Sequence, residues 1–101
     1  MAWEPASIEA VNKIVAADLR QCDPKQIALF EKYKVEPYCA RIVRYGNNET
    51  VVVVARKGKE VIYWEDVEEG FERSAISEDG LIQEHGTNQN NLGLMLNCWI
   101  E

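Results

Sequence analysis

No stretch of this chain approaches the ~18 consecutive apolar residues that would cross a membrane as a helix. Its first residues, Met1-Ala2-Trp3-Glu4-Pro5, lack the basic segment and apolar run of a secretory leader. Cysteine is scarce: Cys22, Cys39 and Cys98 are odd in number, widely spaced and contain no C-x-x-C pair. That pattern argues against a disulfide framework and against a zinc site, and it fits a reducing, cytoplasmic setting. Histidine occurs once, at His85, and there is no P-loop, no G-x-G-x-x-G, no G-x-S-x-G and no H-E-x-x-H. No cofactor and no metal are expected.

Basic charge is also in short supply, with 11 Lys and Arg against 17 Asp and Glu and a formal net charge of −6. Its distribution is uneven. Residues 1–45 carry seven basic and six acidic groups (+1), whereas residues 46–101 carry four basic and eleven acidic ones (−7). Repulsion from a phosphate backbone argues against direct nucleic-acid binding.

What remains is ordinary globular material: 101 residues, 47% hydrophobic and 28% charged. A chain of this size buries roughly 65% of its unfolded surface, enough for one core without staples. There is no repeat, linker or low-complexity segment, so one domain over 1–101 is expected.

Ser7 has the chemistry of an N-cap, and Ile8, Val11, Ile14, Val15 and Leu19 follow at helical spacing, predicting a helix over 7–20. Asp23-Pro24 is a second start, with Ile27, Phe30 and Tyr33 on the apolar side, so the first two helices are expected to form a hairpin. Pro37 closes that region. β-Branched and aromatic residues then dominate, and Gly46-Asn47-Asn48, Lys57-Gly58-Lys59, Glu68-Glu69-Gly70 and Glu78-Asp79-Gly80 divide them. Five strands are predicted near 38–45, 50–56, 60–65, 71–77 and 81–85. Connections this short suit an antiparallel meander. Thr87 or Asn88 caps a last helix with Leu92, Met95, Leu96, Trp99 and Ile100 on one face. The expected fold is α+β: a helical hairpin, a five-stranded, mainly antiparallel meander sheet and a C-terminal helix.

Turn lengths assign residues to faces. With Tyr45 opposite Thr50 and Arg56 near Val61 or Lys59, one face collects Ala40, Ile42, Val51, Val53, Ala55, Ile62 and Trp64, which suits packing under helices. The other collects Arg41, Val43, Tyr45, Thr50, Val52, Val54, Arg56, Val61, Tyr63 and Glu65. Such a mixed face is partly covered by a helix, simply solvated, or a contact surface, and leaving its valines and tyrosines bare would make an apolar patch larger than monomers usually tolerate. The stretch Glu65-Asp66-Val67-Glu68-Glu69-Gly70-Phe71-Glu72 lacks EF-hand spacing. It reads as a solvated loop or as a docking site for a basic partner.

His85 and the polar run after it, Gly86 to Asn91, suit a strand end and a cap, and spacing assigns His85 no nucleophile. Trp64 and Trp99 read as core, and Trp3 as an anchor for the first helix or an exposed residue.

The function expected from these features is a small acidic, non-enzymatic interaction module of the immunity, antitoxin or inhibitor kind, binding a protein partner or a second copy of itself. Its candidate contact residues are Arg41, Val43, Tyr45, Val52, Val54, Arg56 and Tyr63 on the sheet, and Glu65, Asp66, Glu68 and Glu69 at the acidic loop. The alternative is a small-molecule-binding regulatory domain with a cleft near His85 and the last helix. An enzyme ranks third.

Overall fold

A computed structural model describes residues 7–44, 46–66, 69–83 and 90–100. Trp3, Tyr45, Glu68, His85, Thr87 and Asn88 lie outside these described residues. The elements follow the order α1 (Ile8–Leu19), α2 (Pro24–Tyr33), β1 (Lys34–Arg44), β2 (Asn47–Lys57), β3 (Glu60–Glu65), β4 (Gly70–Ala75), β5 (Leu81–Ile82) and α3 (Leu92–Asn97). The fold is α+β, with two N-terminal helices, a five-stranded, mainly antiparallel sheet and a C-terminal helix.

The helices begin where local chemistry dictates. The Ser7 side chain accepts from the Ala10 N–H at 3.1 Å. Asp23 and Gln26 form a reciprocal capping box, each side chain accepting from the other's backbone N–H at 2.8 Å, with Pro24 in the first turn. For α3 the cap is Asn91, which accepts from the Leu94 N–H at 2.8 Å. Trp99 and Ile100 lie beyond the helix, and Ile100 is exposed rather than on the buried face.

α1 and α2 each pack on α3 and on the sheet, and Val11, Val15 and Phe30 of the two helices share one core with them. Two sets of bonds dock α3. Asp18 Oδ2 accepts from the Leu92 N–H at 2.9 Å, while Gln26 Nε2 donates to the Gly93 carbonyl at 3.2 Å and to Asn97 Oδ1 at 3.1 Å. A Cβ at Gly93 would lie 2.9 Å from Gln26 Nε2, so the absence of a side chain there permits the close approach.

The sheet order is β4-β3-β2-β1-β5. β1 to β4 pair antiparallel in succession, but β5 runs parallel to β1, through Arg41↔Leu81 and Ile42↔Ile82. The antiparallel meander therefore needs one correction. The two ends of the sheet also meet: Ile76, just after β4, bridges antiparallel to Ile82, and the Gln83 N–H donates to the Ala75 carbonyl at 3.1 Å. The sheet thus curls back on itself. When five strands each run antiparallel to the one before, the first and fifth point the same way, so joining them forces a parallel seam. The rule against short parallel crossovers still holds, because β1 and β5 are separated in the chain by three strands.

Two cores result. Outside the curl, Val52, Val54, Ala55, Ile62 and Phe71 pack with Val11, Phe30, Leu96 and Trp99 of the helical layer. Edge-to-face ring pairs, Tyr33–Trp99 at 5.5 Å and Trp64–Phe71 at 5.1 Å, fill this layer. Glu60 ties it down, accepting from Trp99 Nε1 at 3.1 Å and from Arg73. Inside the curl, Ala40, Ile42, Val51, Val53, Val61, Tyr63, Ile76 and Ile82 form a second cluster that, among the described residues, contains no helical one.

Candidate functional site

The mixed sheet face is divided by a bulge. Val53 pairs with Tyr63 and Ala55 with Ile62, so β2 carries one extra residue, Val54, against β3. Near the turn Arg56 does face Val61, but beyond the bulge Val52 faces Trp64. One extra residue exchanges the faces of everything past it. The assignment of β1 and of β2 up to Val54 stands, since Arg41↔Thr50 has the expected parity, but past the bulge Ala55 joins Val52 and Val54 on the outer face and Arg56 takes the side of Val61. The β3 residues do not follow it: Val61, Tyr63 and Glu65 face the interior with Val51 and Val53, and Ile62 and Trp64 face outward with Val52 and Val54.

The helices also sit on the opposite side from that expected. They cover Val52 and Val54, not Ala40 and Val53. Of the candidate contact residues, Val52, Val54, Tyr63 and Glu65 are buried and present no contact surface, the first two under helices and the last two inside the curl. A signal for this was in the chain. Val51-Val52-Val53-Val54-Ala55 does not alternate with polar residues, as a strand buried on both faces need not.

Arg41, Val43, Arg56 and Glu69 are exposed, Asp66 is half-buried, and Tyr45 and Glu68 lie outside the described residues. Arg56 shares its side with Val61 and donates to the Gly58 carbonyl at 2.8 Å, so the bulge separates it from Arg41. Gly58, at φ 61°, occupies the first position of the two-residue turn before Glu60, where a primed hairpin turn requires left-handed backbone.

Nor does the acidic stretch act as one uniform loop. Glu65 is fully buried and its carboxylate accepts from the Tyr63 hydroxyl at 3.5 Å. Glu72 accepts from Asn90 Nδ2 at 2.9 Å, and Glu69 is exposed in left-handed backbone at φ 54°. Among the described residues no group of three His, Cys, Asp or Glu side chains could hold a metal ion.

Arg41 and Val43 belong to a strip the helices do not reach. Past Val52 the outer face of the β1–β2 hairpin presents Cys39, Arg41, Val43, Asn48 and Thr50, all exposed, with Val43 at 46%. Arg41 reaches Asp79 of the β4–β5 turn at 3.7 Å. The Ser77 hydroxyl bonds the Asp79 carboxylate, and this holds Asp79 below its ordinary pKa, with Arg41 adding to the effect.

A cavity of about 380 Å³ lies elsewhere, where β1 leaves α2. β1 pairs through Lys34↔Ala55 and then Tyr38↔Val53, so Val35, Glu36 and Pro37 bow away opposite Val54. Pro37 has no N–H for a ladder bond, which suits it to such a bulge. The floor of the cavity is Val15, Phe30 and Val54, its wall Val35 and Pro37, and its polar groups Asn12, Lys34 and Glu36. The expected cleft near His85 and the last helix is not this one, because no α3 residue lines it. Reading Pro37 as a helix stop missed it, although a proline inside an extended segment signals a bulge.

Among the described residues no helix is long and apolar enough to cross a membrane. No protein-family model matches this chain, and neither a curated protein nor a solved structure matches it.

Proposed function

We propose that this chain is a small acidic, non-enzymatic interaction domain that holds a basic protein partner against the uncovered outer face of the β1–β2 hairpin. The carrying observation is the exposure of Val43 and Thr50 beside Arg41, on a sheet face whose other half is sealed by helices. A stable interface needs roughly 800 Å² from each side, more than five side chains supply. The contact therefore extends over the neighbouring β4–β5 turn, where Glu78 and Asp79 are exposed. Asp79 already offsets the charge of Arg41, so the surface as a whole attracts positive charge. Its size and acidity are those expected of an immunity protein, antitoxin or inhibitor.

The test compares the wild-type chain with a Val43→Lys/Thr50→Lys double variant in affinity purification from the source cells, after circular dichroism has established equal folding. Both positions are exposed, so each change costs within about 0.5 kcal/mol of stability. The expected result is one basic protein recovered stoichiometrically by the wild type and lost from the variant. Equal recovery by both refutes the reading. A concentration-dependent dimer in sedimentation, abolished by the same variant, replaces the foreign partner with a second copy of this chain.

A further inference from the structure

We propose that the cavity beneath the β1 bulge is a receptor for a zwitterionic α-amino acid with an apolar side chain. The cavity has two chemically distinct parts. Val15, Phe30 and Val54 form an apolar base, and Lys34, Glu36 and Asn12 bring a cation, an anion and an amide to the same space. At about 380 Å³ it falls in the range of small-molecule sites, which combine an apolar lining with a few placed polar groups.

The charge pattern selects the ligand. Glu31 already holds Lys34 and Glu36 shares the lining, so a simple carboxylic acid meets Glu36 as a like charge and a simple amine leaves the remaining Lys34 donors unused. A molecule carrying both charges satisfies both residues: its carboxylate takes the Lys34 ammonium, its ammonium takes the Glu36 carboxylate, and the Asn12 amide can donate or accept. Lys34 Nζ already donates to Glu31 at 2.9 Å, but an ammonium has three donors, so it bonds a ligand without releasing Glu31. The apolar side chain of the ligand then occupies the base, where the Phe30 ring offers a face or edge to an aromatic group. This site is separate from the hairpin strip in every residue it uses.

L-Phenylalanine is the probe, titrated into the isotopically labelled full chain and followed by amide chemical shifts. Expected are saturable shifts centred on Asn12, Val15, Phe30, Lys34, Glu36 and Val54. N-acetyl-L-phenylalanine, which lacks the ammonium, and L-phenylalaninamide, which lacks the carboxylate, bind about tenfold more weakly or worse, because each gives up one of the two charge-assisted contacts. Lys34→Gln and Glu36→Gln weaken L-phenylalanine by a similar factor, and both residues are exposed, so both variants fold. The proposal is overturned by the absence of shifts up to about 10 mM ligand. It is overturned equally if the blocked derivatives bind as well as the parent, or if the two glutamine variants bind it unchanged.

Discussion

Replacing Tyr63 by alanine tests whether the sheet closes on itself. Tyr63 is fully buried in a cluster drawn, among the described residues, from strands and from the Ile76–Ile82 seam. A buried tyrosine ring removes roughly 150 Å² or more from water, worth about 4 kcal/mol at 25 cal/mol per Å². Truncation of a large aromatic in a core costs about 3–5 kcal/mol. A chain of this length has roughly 5–15 kcal/mol of total stability, so Tyr63→Ala removes a large share of it. At about 4–8 °C per kcal/mol, the melting temperature falls by about 15 °C or more. Val43→Ala, on the exposed strip, changes stability by no more than about 0.5 kcal/mol. Urea denaturation followed by circular dichroism reads both variants, with the slope of the transition checking that the same surface unfolds. A loss below about 1 kcal/mol at unchanged slope would refute the sealed interior. Ile82→Ala provides the second arm, with an expected cost of about 2–5 kcal/mol. If Tyr63 proves costly and Ile82 does not, the interior is covered by something other than the β5 seam.

The three thiols should react in two classes with an aromatic disulfide reagent at mildly alkaline pH. Cys39 and Cys98 are exposed and react first, whereas burial, reinforced by Asp18 and Asp23, pushes the Cys22 thiol up and leaves it less ionised. All three react in denaturant, and a fast Cys22 in the folded chain contradicts this placement. Asp79 should titrate below the usual aspartate range in a carboxyl-resolved NMR titration, and Ser77→Ala should raise its midpoint by removing the hydroxyl donor. Because the folded-state value is depressed, Asp79 favours the folded state above its unfolded pKa and loses that contribution as pH falls through the folded value. An unchanged midpoint in Ser77→Ala would place the cause elsewhere.

Much of the fold was legible because its signals are local. The Ser7 cap, the Asp23 cap with Pro24 after it and the glycine at position 58 each act over four residues or fewer, and each is found where the sequence puts it. Strand number and identity follow from the same short-range chemistry. The burial of Val51 to Ala55 on both faces was also present, in a run with no polar alternation. For the candidate sites less was legible. Arg41 and Val43 are exposed, as a contact surface requires, whereas Asn12, Lys34 and Glu36 came together only when α1 was laid against the start of β1.

Tertiary structure decided the rest through pairings that no short window contains. One extra residue at Val54 leaves the local composition of β2 unremarkable, yet it turns Tyr63 and Glu65 inward and separates Arg56 from Arg41. The parallel seam of β5 on β1 depends on the whole sheet curling until Ile76 meets Ile82. The position of α3 depends on Asp18 and Gln26, more than 60 residues earlier in the chain. By itself the sequence determined which segments are helix, strand and turn, because those choices are settled between near neighbours. Which face of each strand became core, and which remained exposed, was settled only by contacts between segments far apart along the chain.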